Sequence, residues 1–272
     1  HTNDRRQRQM CIRDRRTTDG LLPMNDVGPE DFPEAPSLLT VCGPMGRSIA
    51  DLHLMLSVLA PEQRQGTPPV PEKLRIAYTH NILDITANEV TQAEIESFLN
   101  KLSKDGHKVA SNCAPEVDMA DCFELWAMIT GHLASISLPK LMRTEPLNSI
   151  LLFYVLQVRM GGGWMAQKLR KGFHSSDRDF QQVLQRLAEI RQEVDRFYDQ
   201  YDLWILPSMP GPAFERTRMN WNFSLDGERV SYGNYNGTYH CTTALMGTPG
   251  LALPIGFTNG LPLGVQVHSR AF

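Results

Sequence analysis

The chain has 272 residues, 42% of them hydrophobic and 21% charged, with a formal net charge of −3 at pH 7. That composition is globular and supplies material for a sizeable core, while the slight acidity argues against a polyanionic partner such as nucleic acid. Five cysteines (Cys11, Cys42, Cys113, Cys122, Cys241) form an odd set with no C-x-x-C pair, which fits neither a disulfide framework nor a zinc site. The longest apolar run, residues 150–156, is too short to span a bilayer, and no secretion signal is visible. A cytoplasmic location without a membrane partner is the expectation.

Residues 1–16, HTNDRRQRQMCIRDRR, are arginine-dense and carry no apolar periodicity. The run Met10-Cys11-Ile12-Arg13-Asp14-Arg15 resembles a peptide that arises when sequencing-adapter DNA is translated. A basic arm for nucleic acid is the alternative, but the rest of the chain offers no basic face to extend it. Residues 1–16 are therefore read as a non-native, disordered leader, and residues 17–272 as part of one domain.

Ser48, with Asp51 three residues later, predicts a capped helix through Leu52, Leu54, Met55, Val58 and Leu59. Pro61 and the Gly/Pro-rich residues 66–71 end it in a loop. Residues 74–78 alternate as a strand. Thr91-x-x-Glu94 is expected to open the next helix, with Ile95, Phe98, Leu99 and Leu102 on one face and Gly106 as its stop, ahead of a strand near residues 107–110. This β-α-β spacing predicts a layered α/β domain and not a bundle. Residues 117–165 read as mostly helical with a break at Leu138-Pro139. Ser176-x-x-Asp179 caps the longest helix. Its apolar stripe is Phe180, Val183, Leu184, Leu187, Ile190, Val194 and Phe197, and its opposite face, Arg186, Arg191, Glu193 and Asp195, is expected in solvent. Strands follow at residues 203–206 and near 229–232, then a helix from about Thr238 to Met246. Asn259-Gly260 between two apolar runs predicts a hairpin, because both turn positions need a positive φ that these residues tolerate.

Several residues invite a chemical reading. Arg47 and Asp51, one helical turn apart, read as a local pair and cap. Cys42 and His53 could be imagined as thiol and base, but packing is the plainer account. Gly161-Gly162-Gly163 follows no strand and reads as a hinge. His107 and His240 have no ligand spacing around them, so no metal is expected. Trp126, Phe153 and Tyr154, at helical spacing, read as core. The Ser208-Met209-Pro210 loop is the strongest candidate, since it lies just past a strand end, where open α/β sheets place their ligands. Proline-rich loops are also rigid for structural reasons alone.

Three blocks carry a family resemblance. Gly43-Pro44-Met45-Gly46-Arg47-Ser48-Ile49-Ala50-Asp51-Leu52 resembles the G-P-M-x-R-S-x-x-D-L segment of amidase signature enzymes. Residues 202–213, DLWILPSMPGPA, are similar to that family's strand and Pro-rich loop. Gly247-Thr248-Pro249-Gly250 through Pro254, followed by Gly260-Leu261-Pro262-Leu263-Gly264-Val265-Gln266, is similar to its G-x-P-x-x-x-x-P and G-L-P-x-G-V-Q. The resemblance implies an α/β fold with a mixed central sheet flanked by helices on both faces. It implies hydrolysis of a small-molecule carboxamide to acid and ammonia or amine through an acyl-serine intermediate, with neither metal nor organic cofactor. It also implies that Ser208, Met209, Pro210 and Asn236 lie near the acyl pocket, and it leaves homodimerisation open.

The family's chemistry rests on a nucleophilic Ser, a second Ser at a cis peptide bond and a Lys. A serine hydroxyl attacks only when a neighbouring base takes its proton. A lysine serves as that base only when desolvation keeps it neutral. No Gly/Ser-rich run with a Lys upstream is visible here. The one Ser pair, Ser175-Ser176, sits beside His174 and Asp177 at a helix start. Residues 18–23, TDGLLP, look like the family segment that follows the nucleophile. The expectation is a carboxy-terminal portion of an amidase, severed by a truncated gene, holding no catalytic residue and inactive as it stands. Open sheet edges would make it poorly soluble. Two alternatives remain: the amidase component of a tRNA-dependent amidotransferase, and a non-catalytic amidase-like binding protein.

Overall fold

A computed structural model describes residues 13–22, 39, 41–61, 70–144, 146–159, 163–214 and 222–271. The first twelve residues, the loop expected at 66–69 and Gly161-Gly162 lie outside the described residues.

The strands are β1 (Arg13–Arg16), β2 (Met45–Gly46), β3 (Arg75–Tyr78), β4 (Asn81–Ile82), β5 (Ile85–Thr86), β6 (Lys108–Ser111), β7 (Leu203–Pro207), β8 (Asn222–Leu225), β9 (Glu228–Ser231), β10 (Gly250–Thr258) and β11 (Leu261–His268). The helices are α1 (Ile49–Leu59), α2 (Glu89–Lys104), α3 (Met119–Ser137), α4 (Leu147–Leu152), α5 (Gly163–Phe173), α6 (Asp177–Phe197) and α7 (Tyr232–Leu245). Seven strands make one mixed sheet in the order β2-β1-β10-β11-β7-β3-β6. The β3–β6 and β3–β7 pairs are parallel and the other pairs antiparallel. Arg13–Arg16, the last four residues of the expected leader, pair with β10 on one side and β2 on the other.

Strand alternation distributes the core. On β3 and β7, Ile76, Tyr78 and Ile205 point to the face covered by α2, where they meet Ile95 and Leu99. Ala77, Trp204 and Leu206 point the other way, into a cluster with Ile129 of α3, Ile190 of α6 and Tyr239 of α7. A further layer joins Phe123 and Ala127 of α3 to Met165, Leu169 and Phe173 of α5. The sheet thus carries helices on both faces. Where α3 crosses α5 the backbones nearly touch. A Cβ on Gly131 would lie 2.3 Å from the Leu169 carbonyl oxygen, and one on Gly172 would lie 2.4 Å from that of Met128. Among the described residues no helix is long and apolar enough to cross a membrane.

Local signals behaved as polar chemistry requires at α1 and α6, where Ser48/Asp51 and Ser176/Asp179 form reciprocal capping boxes. The α6 stripe is buried along its length. Four expectations are corrected. First, α2 opens at Asn88 and not at Thr91, because the Asn88 side-chain oxygen accepts from the Thr91 backbone N–H at 3.0 Å. Second, α7 opens at Ser231, seven residues before Thr238. Gly233 and Gly237 are poor helix formers, yet both lie within the helix, and a Cβ on Gly237 would come within 1.9 Å of Met165 Cε, so the methionine tip would have to give way. Third, Arg191 does not stand in solvent. It turns inward, its guanidinium donating to Asp19 at 2.6 Å and to the Leu245 carbonyl at 3.1 Å. Fourth, Phe153 and Tyr154 are exposed and not core: they begin a π turn over Phe153–Arg159, and Ile150 on the preceding turn is exposed as well.

The predicted hairpin is present. Asn259 (φ 49°) and Gly260 (φ 75°) join β10 to β11, and a bulge lies between Pro254 and Gly256. β1 pairs with β10 only at residues 250–252, and β7 pairs with β11 only at 265–268. The rest of the ribbon, Pro254 and Pro262 included, reaches past both neighbours.

Candidate functional site

The end of β7 is held from two sides. The Ser208 N–H donates to the Gly264 carbonyl at 3.0 Å, and the Pro210 carbonyl accepts from the Asn88 N–H at 2.6 Å. The loop expected from its place at a strand end is therefore fixed between the hairpin and the start of α2. Ser208 and Ala252 line two adjoining concavities. The first, about 400 Å³, is walled by Thr91, Met209, Pro212, Phe214, Leu253 and Leu263 among others, and among the described residues no charged side chain lines it. The second, about 250 Å³, is polar, with His240, Thr243, Gln266 and His268 alongside Asp14 and Arg16.

A chain of hydrogen bonds orders the polar concavity. The Gln266 amide nitrogen donates to the Pro207 carbonyl at 3.1 Å, which makes Oε1 the acceptor end. Oε1 receives the Thr243 hydroxyl at 3.1 Å and His268 Nε2 at 2.9 Å. His268 therefore carries its proton on Nε2, and Nδ1 accepts from the Thr248 hydroxyl at 3.2 Å. Burial, reinforced by the positive charge of Arg16 and by His240, lowers the His268 pKa to about 3. A ring held neutral this firmly positions its neighbours and does not accept protons near pH 7. His240 is also shifted down by desolvation. Its Nε2 faces Met209 Sδ at 3.3 Å.

Ser208 Oγ has no hydrogen-bond partner, so neither histidine activates it. Ser175 offers a misleading parallel. Its Oγ lies 3.0 Å from His132 Nδ1, and His132 Nε2 lies 3.9 Å from the Asp177 carboxylate. The order of residues mimics a serine-hydrolase triad. However, the Ser175 proton is given to the Gly172 carbonyl at 2.6 Å, so His132 must donate through Nδ1 and cannot act as base. With Phe180 stacked on the imidazole at 4.1 Å, the group fastens α3 to the corner between α5 and α6.

Of the residues expected at the acyl pocket, the structure brings Ser208 and Met209 to the apolar concavity and buries Pro210 beneath it. Asn236 lines neither concavity. Its side-chain nitrogen donates to the Tyr232 carbonyl at 3.0 Å, one turn before His240 on α7. His107 accepts from the Leu74 N–H, and the Cys42 carbonyl accepts from the Thr17 hydroxyl, both structural contacts. The convergence of His240, Gln266 and His268 was not anticipated. A repeating i, i+2 polar pair within an apolar strand, Gln266 and His268, was its only trace in the sequence.

Comparison with known proteins agrees with this architecture. The Amidase family model matches residues 16–272. A glutamyl-tRNA(Gln) amidotransferase chain from Synechococcus sp. (strain JA-3-3Ab) is 24% identical over 259 residues, covering 85% of this chain and 48% of that protein. The crystal structure of an amidase superposes with a TM-score of 0.72 at 18% identity, covering 95% of this chain and 54% of the other. A 6-aminohexanoate cyclic dimer hydrolase superposes at 0.64 with 16% identity, over 97% and 58%. The chain spans about half the length of the curated relatives it matches. On the family match along nearly its whole length, and on the mixed sheet with helices on both faces, the chain belongs to the amidase signature family.

Proposed function

We propose that this chain supplies the acyl-binding side of a carboxamide hydrolase that works through an acyl-serine intermediate, and that by itself it does not turn over. The observation that carries the reading is the pinned Ser208-Met209 loop at a strand end, opening onto an apolar concavity within an amidase-family sheet. Ser208 and Met209 form the wall against the acyl group, Pro210 is buried next to them, and Asn236 lies outside both concavities, one turn from His240. Inactivity follows from the serines. Among the described residues, Ser208 has no base and Ser175 spends its proton on a carbonyl. The test is ammonia or amine release from simple aryl and alkyl amides by the purified chain. No release above buffer is expected, and sustained turnover would overturn the proposal of inactivity.

The amidotransferase relatives favour a second reading, in which the parent protein passes ammonia to a partner in place of water. Co-purification of partner chains with the tagged protein from its native source would support it, and a lone hydrolase with free ammonia as product would exclude it.

A further inference from the structure

We propose that the β8–β9 hairpin is a flap on the apolar concavity, latched by Asp226 to the start of α2, and that its release frees Phe214 to leave the cavity wall. The device needs only the cavity and not the identity of what fills it. β8 and β9 form a two-stranded sheet of their own. Such a hairpin is marginal alone, so its position depends on what it touches. At its base it runs into α7, where Ser231 caps the helix. Along its length Phe223 lies 4.2 Å ring to ring from Phe214 and 5.4 Å from Tyr235. At its tip Asp226 and Gly227 take positive φ, 49° and 91°, as a tight two-residue turn requires. That turn presents Asp226 Oδ2 to the Glu89 N–H at 2.9 Å.

The latch ties together two elements that line the cavity. One is α2, through Thr91 in its first turn; the other is the segment holding Pro212 and Phe214, against which the hairpin packs. Asp226 is not needed to start α2. Asn88 already caps the Thr91 N–H at 3.0 Å, and its own N–H is bound to the Pro210 carbonyl at 2.6 Å. Pro212 is held separately, its carbonyl accepting from the Tyr235 hydroxyl at 3.0 Å. Breaking the Asp226 bond therefore leaves α2 and Pro212 in place. What it loosens is the hairpin and, through Phe223, the Phe214 ring. One capping bond to a backbone N–H shifts an equilibrium roughly tenfold, and this one is exposed to water that competes for it. That is enough to favour the closed flap and little enough to let it open without unfolding the sheet.

The test is amide exchange by mass spectrometry on the full chain, together with the reactivity of a buried cavity position. Thr91 is 1% exposed, so Thr91→Cys, alkylated with iodoacetamide and read at its own peptide, reports opening. Peroxide oxidation of Met209, a native cavity residue, decides the point should the cysteine variant not fold. Asp226→Ala should speed exchange across the hairpin roughly tenfold, as loss of one such cap predicts, and raise the cavity reactivity with it. Asp226→Asn keeps an acceptor oxygen and should stay close to the parent. Exchange in the later turns of α2 and the melting midpoint should not move. Unchanged exchange in the hairpin, faster exchange along α2 by the same factor, or a loosened hairpin with unchanged cavity reactivity would each overturn the proposal. No turnover is measured, so failure of the hydrolase reading leaves the flap untouched.

Discussion

Helices α1 and α6 start with the same local chemistry and meet opposite fates. Each is opened by a serine whose hydroxyl accepts from the backbone of an aspartate three residues on, with the aspartate returning the bond. On α6 the apolar stripe is buried against the sheet and α3, Ile190 to 1% exposure. On α1 only Leu52 is buried, while Leu54 and Val58 stand 68% and 72% exposed. A capping box fixes where a helix begins; what its apolar side is worth depends on the surface it meets. Helical stability in proteins comes mostly from that second term.

The contrast can be broken most directly by trimming each stripe. Ile190→Ala should cost about 2–5 kcal/mol in urea unfolding, against a change within about 0.5 kcal/mol for Leu54→Ala. Equal costs would mean that α1 is packed in solution. Acid sharpens the same contrast, because His268, 6.0 Å ring to ring from Trp204, lies on the α6 side of the sheet. Its folded pKa of about 3 is far below the ordinary value of 6.5. The unfolded chain therefore takes up a proton that the folded chain refuses. Stability is fully present above pH 6.5 and is lost as pH falls toward 3, at up to about 1.4 kcal/mol per pH unit for one such site. His268→Gln should flatten that dependence, and an unchanged slope would sink the assignment. Ser176→Ala should cost about 1 kcal/mol globally. Ser48→Ala should leave global unfolding unchanged and speed amide exchange only in the first turn of α1. The smallest effect is expected from Leu54→Glu with Val58→Glu, which should lower the binding of a hydrophobic dye without moving the melting midpoint by more than about 1 °C for a near-neutral surface change.

The elements that could be read from the sequence were those whose signal is local. The hairpin was announced by Asn259-Gly260, and α6 by Ser176, Asp179 and its regular stripe. What escaped was set by contacts across the fold. The start of α7 was hidden because Gly233 and Gly237 argue against a helix until Met165 is seen pressing on the second of them. Arg191 looked like a surface charge because its partners, Asp19 and the Leu245 carbonyl, are 172 and 54 residues away. The same holds at the site. Ser208 was found from its place after a strand, but the ordering of Thr243, Gln266 and His268 depends on α7 lying beside β10 and β11. Thr91, expected to open α2, instead sits in its first turn and lines the pocket.

The proline pair in the hairpin has a bearing on self-association. Beyond residues 252 and 265 the β10–β11 ribbon has no third strand beside it among the described residues, and Phe257 at its tip is 57% exposed. Such unpaired edges would ordinarily invite a stray strand to add on. Pro254 and Pro262 each withhold an amide donor there, and the bulge next to Pro254 breaks the even spacing that a newcomer would need. The ribbon, packed on α2 through Leu253 and Ile255, can leave its edges unpaired without becoming a seed for fibres.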